Sequence, residues 1–130
     1  MDDHALVFTD LHNVLALARA KRFDDAQSYI ASMETLASRG DSHLSQVIRR
    51  VGIPLCESFV AFEKGDDAST LDTILRTRTL FTEVGASSAQ RDLIWQIAAE
   101  AAKRSRNDSA LRILERQREI GQRLAKRSVP

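Results

Sequence analysis

A chain of 130 residues has room for one hydrophobic core and too few residues for two. Hydrophobic residues at 43% and charged residues at 28% exclude a disordered polymer, and five glycines with two prolines are too few for a sheet protein with its many turns. The net charge of +1 conceals an asymmetry, because from Lys103 onward nine Lys or Arg stand against three acids.

In chain order, the first helix is expected from about Asp3 to Ala20, with Asp2 and Asp3 at its positive end and Arg19, Lys21 and Arg22 at its negative end. Its apolar residues Leu6, Val7, Phe8, Leu11, Val14, Leu15, Leu17 and Ala18 fill more than one stripe, so it should be covered from more than one side. A second helix from Asp24 carries Ala26, Tyr29, Ile30, Met33, Leu36 and Ala37 inward and stops before Gly40. Asp41 or Ser42 can cap a third through Leu44, Val47, Ile48 and Val51, where Gly52-Ile53-Pro54 predicts a kink or a short break. The chain then returns to helix as far as Lys64.

Gly65 ends that piece, Asp66 or Asp67 can cap the fourth helix, and Gly85 closes it. Ser87 and Gln90 have capping-box spacing at the head of the fifth, and Asn107 or Asp108 caps the sixth, whose Ala110, Leu111, Ile113, Leu114, Ile120 and Leu124 are expected to face inward. Aligning the turns pairs Lys21 with Gly65 and Ser105, and Ala26 with Thr70 and Ala110, at periods of 44 and 40 residues. Self-similarity on that scale predicts an all-α domain over residues 1–130, with hairpins near 3–39, 42–84 and 87–127 stacked as a right-handed solenoid.

The segments Phe8-Thr9-Asp10-Leu11-His12, Leu55-Cys56-Glu57 through Gly65-Asp66, and Gly85-Ala86-Ser87-Ser88-Ala89-Gln90-Arg91-Asp92-Leu93 resemble the C-terminal part of the tetratricopeptide-repeat protein 38 family. The likeness covers nearly all of this chain, and it implies degenerate tetratricopeptide hairpins without a catalytic activity to carry over.

Residue chemistry gives little toward an enzyme. His4, His12 and Asp10 lack the i, i+4 spacing of helical metal ligands, and Cys56 has no nearby histidine to act as its base. Gln90 and Asp92 have structural roles at a helix start, and no phosphate loop or serine-nucleophile motif occurs. No catalytic residue, metal site or cofactor is therefore expected. One cysteine fits a reducing compartment, the start Met1-Asp2-Asp3-His4 is acidic where a secretory leader is basic, and no apolar run approaches a membrane span. A cytoplasmic protein away from the membrane is the expectation.

Carrying the turn alignment across the first helices of the hairpins places Phe8, Leu11, Leu15, Leu55, Phe59, Phe62 and Trp95 on one inner, concave face, with Ala99 and Ala102 beside Trp95. An apolar groove of that extent needs a cover. The expected partner is a protein or peptide, foremost a second copy in a homodimer, with Phe59 and Trp95 as central anchors. The alternative is a basic C-terminal helix carrying Arg112, Arg116, Arg118, Arg123, Lys126 and Arg127 that docks on nucleic acid or another anionic surface.

Overall fold

The computed structural model describes residues 3–40, 42–83 and 88–127, and among them only helices and turns occur. The order is α1 (Asp3–Arg19), α2 (Phe23–Ser38), α3 (His43–Val47), a π-helical turn (Ile48–Gly52), α4 (Ile53–Glu63), α5 (Asp67–Glu83), α6 (Ser88–Arg104) and α7 (Asp108–Arg127). Because the π turn joins α3 to α4 into one rod, the chain is an all-α bundle of six rods. α4 lies at the centre, packed on α1, α2 and α5; α6 packs on α5, and α7 on α6.

The break expected at Gly52-Ile53-Pro54 is not a break. Pro54 has no N–H for the Arg50 carbonyl, and in a regular helix its ring would press on that carbonyl. The rod widens just before it, Ile53 N–H reaching back five residues to Ile48 O, so the chain stays helical and changes its winding.

The three turns at one edge of the bundle share one design. Lys21, Gly65 and Arg106 have φ of 61°, 86° and 56°. In each turn the next residue's N–H bonds a carbonyl five residues back, Arg22 to Leu17, Asp66 to Ala61 and Asn107 to Ala102, all at 2.9 Å. The left-handed residue itself bonds three back, to Ala18, Phe62 and Lys103. This is the Schellman closure, which satisfies the last helical carbonyls. Its third member is Arg106 rather than the expected Ser105, so the turns lie 44 and 41 residues apart. Ser105 stays helical because its N–H bonds Ala101 O at 3.0 Å and its hydroxyl returns to the same oxygen at 2.8 Å.

Only Gly65 adopts the left-handed conformation without a Cβ penalty. A Cβ there would meet nothing within 4 Å, so Gly65→Ala isolates the backbone cost. It should lower stability by about 1–2 kcal/mol, and Arg106→Gly should raise it by up to about 1 kcal/mol. Urea unfolding followed by circular dichroism checks both.

Of the paired capping candidates, the structure uses Ser42, Asp66 and Asn107. Their side-chain oxygens accept from the N–H of Ser45, Ser69 and Ala110 at 3.1, 3.2 and 3.1 Å. The hydrogen bonds to Ser69 also hold the exposed Asp66 carboxyl below its ordinary value. α2 begins at Phe23 after Arg22, which offers no side-chain cap. Ser87, the Gln90 side chain and the turn around Gly85 lie outside the described residues.

Cations from both neighbouring turns close the C-terminal end of α4. Lys21 Nζ donates to Glu63 O at 3.2 Å, and Arg104 donates to Phe62 O at 3.1 Å. Arg104 also pairs with Asp67 at 2.6 Å and stacks 4.2 Å over the Phe62 ring, while Arg19 and Lys21 approach the Glu63 carboxylate at 3.5 and 3.7 Å. Positive charge at a helix C-terminus is favourable, and here it ties the first and third hairpins to the second.

Candidate interaction surface

The apolar residues expected to line an open groove are used inside the chain. Leu11, Leu15, Leu55, Phe59 and Trp95 are each no more than 5% exposed and belong to a single core cluster. Phe62 is half-buried beneath Arg104, and the side chain of Phe8 lies outside the described residues. The expected exposure is corrected: α1 packs on α2 and on α4, so the next hairpin covers the second apolar stripe that one hairpin partner would leave bare. Exposed on those same helices are His12 and Asn13 of α1, Glu57 of α4, and Gln96, Glu100 and Lys103 of α6.

Polar groups near this core are structural. Tyr29 donates from its hydroxyl to Asp10 Oδ1 at 2.5 Å and accepts from Asn13 Nδ2 at 3.0 Å. Burial first, and then the Asp10 carboxylate, push the Tyr29 hydroxyl above its ordinary pKa. Cys56 is fully buried with its sulfur 3.9 Å from Met33 Sδ, and burial pushes its thiol far up, so it packs as a small apolar group. Glu57 is also raised, by burial and then by Glu34 nearby. Among the described residues no three His, Cys, Asp or Glu converge for a metal, and no helix is long and apolar enough to cross a membrane.

What stays open lies on the second helices of the later hairpins. α5 and α7 bound a trough of about 790 Å³. Its α5 wall is Ala68, Leu71, Asp72 and Leu75, its end is the turn Ser105–Asp108, and its α7 wall is Ser109 and Arg112. Arg112 also borders a second hollow of about 430 Å³ along α7, formed with Glu115, Arg116, Glu119, Ile120 and Arg123. α7 turns Ala110 and Leu114 into the core against α6 but leaves Ile113 43% and Ile120 42% exposed, which corrects their expected inward placement, as the exposed Leu36 does on α2.

The basic residues of α7 therefore divide. Arg118, half-buried, lies with Nε 2.8 Å from Asp92 Oδ1, and this pair fastens α7 to α6. Arg112, Arg116 and Arg123 are exposed and lie in one row at i, i+4 and i+11. The side chains of Lys126 and Arg127 lie outside the described residues. The sequence signal for this surface was the positive tail, which gave the charge but not the apolar flank beside it. No family model matches the chain, and no solved structure matches it.

Proposed function

We propose that the chain is a non-catalytic, tetratricopeptide-like scaffold that binds another protein, and that it binds through the α5–α7 trough and the adjoining face of α7. The observation that carries this reading is the trough itself. It is an open hollow with Leu75 on its α5 wall and Arg112 on its α7 wall, and Arg112 also borders the second hollow, which holds Ile120. The Schellman turn repeated at Lys21, Gly65 and Arg106 supports a reading as stacked helical hairpins of tetratricopeptide-like form. Burial of Phe59 and Trp95 within one chain removes the ground for a homodimer through the first helices, so the docking surface moves to the second helices.

The row Arg112, Arg116 and Arg123 favours a second reading, docking on nucleic acid. The two readings differ in salt dependence. Three neutralised phosphates give a log–log salt slope of about −2.7 on duplex DNA, whereas binding dominated by an apolar trough changes little with salt. Titrating the chain with a duplex oligonucleotide and with helical peptides at two ionic strengths separates them. Weak, salt-steep oligonucleotide binding with retained peptide binding is the expected result, and tight oligonucleotide binding without peptide binding would overturn the scaffold.

A further inference from the structure

We infer that the occupant of the α7 face is an amphipathic helix of another protein that carries a carboxylate row beside an apolar stripe; this rests on the scaffold reading above. Several cations elsewhere in the molecule pair with acids, Arg76 with Asp72 at 3.1 Å, Arg104 with Asp67 at 2.6 Å and Arg118 with Asp92 at 2.8 Å. Arg112, Arg116 and Arg123 form no ion pair with another described residue, although they stand in line along one helix. A row of three exposed guanidiniums outside any ion pair among the described residues is a fork-shaped donor array suited to carboxylates.

The apolar part sets the partner's form. Ile113 and Ile120 are seven residues apart, two helical turns or about 10 Å, the spacing at which a facing helix presents its own i and i+7 residues. Leu75, partly exposed on the opposite wall of the trough, adds apolar surface near the start of α7. A phosphate backbone would leave these apolar residues uncovered, while Glu115 and Glu119, adjoining the arginine row, confine any anionic partner to the arginine side. Against a helix with mixed faces the same acids set register, because they reject carboxylates placed one row too far round.

The test uses the full chain and two labelled synthetic helices of about 18 residues, five turns, with identical leucine stripes flanked by Glu in one and by Lys in the other. Fluorescence anisotropy is expected to show the Glu peptide binding and the Lys peptide binding at least about tenfold more weakly, the 1.4 kcal/mol of one well-placed charge contact. In the variant Arg112→Glu/Arg116→Glu/Arg123→Glu the preference should invert. The milder Arg112→Gln/Arg116→Gln/Arg123→Gln, with helix content checked by circular dichroism, should lose Glu-peptide binding without gaining the other. Equal binding of both peptides, or none, overturns the proposal. Light scattering that shows a dimer dissolved by the charge reversal makes the occupant a second copy, which overturns the proposal and leaves the scaffold standing. Salt-steep oligonucleotide binding lost in the same variants, with neither peptide bound, overturns both.

Discussion

Phe59→Ala is expected to lower the unfolding free energy by about 3–5 kcal/mol, because the lost burial of a phenyl ring adds to a cavity that its neighbours fill only in part. Phe59 is the largest fully buried side chain among the described residues, 1% exposed, on the helix that packs against α1, α2 and α5. A domain of ordinary stability, about 5–15 kcal/mol, loses a large share of it. Cys56, one turn earlier on α4, supplies an internal reporter. It is the chain's one thiol and is fully buried, so a disulfide reagent should react with it only through opening. In Phe59→Ala the reaction should accelerate in step with the lost stability. Unchanged urea midpoints and an unchanged thiol rate would show that Phe59 does not hold the core.

Ala26→Leu should cost about 1–3 kcal/mol for the opposite reason, since three added carbons enter a site with no room. Ala26 on α2 and Ala18 on α1 are both fully buried at the ends of adjoining helices, where small side chains let the backbones approach. The second hairpin places Thr70 there, fully buried, with its hydroxyl bonded to Asp66 O at 2.9 Å and to Ser58 O at 3.3 Å across the hairpin. The control is Ala31→Leu on the exposed side of α2, expected within about 0.5 kcal/mol of the parent. Thermal unfolding of the three proteins decides the matter, and equal effects at Ala26 and Ala31 would remove the close-approach argument.

Helices and turns were legible because their signals are local. Gly65, Ser42, Asp66 and Asn107 act on backbone groups within a few residues, and the structure uses each where the pattern put it. The third turn was misplaced by one residue because Arg106 is left-handed without being glycine, and nothing in its side chain announces that. The surface was harder to read, for a reason that lies in packing. Apolar residues on α1 were counted against one hairpin partner, whereas α4 of the next hairpin also lies on them. Leu11, Leu15, Leu55, Phe59 and Trp95 became core as a result. In the acidic and basic rows of α7, periodicity shows which side chains share a side, while the ion pair of Arg118 with Asp92 that faces one side inward depends on α6.

The π-helical turn also changes how the rod from His43 to Glu63 counts its buried residues. Val47, Val51, Leu55 and Phe59 are all buried, and so are Ile48, Gly52, Cys56 and Val60, two series with a strict spacing of four. In a uniform α-helix a four-residue spacing drifts by about 40° at each step, so over three steps the last member would stand about 120° from the first. The widened turn takes up roughly one extra residue, which returns about 100° of that drift. Both series can then stay against the core along the length of the rod. Buried residues recurring every four positions across a proline thus record a change of winding in the sequence itself, and this chain carries that record twice in parallel.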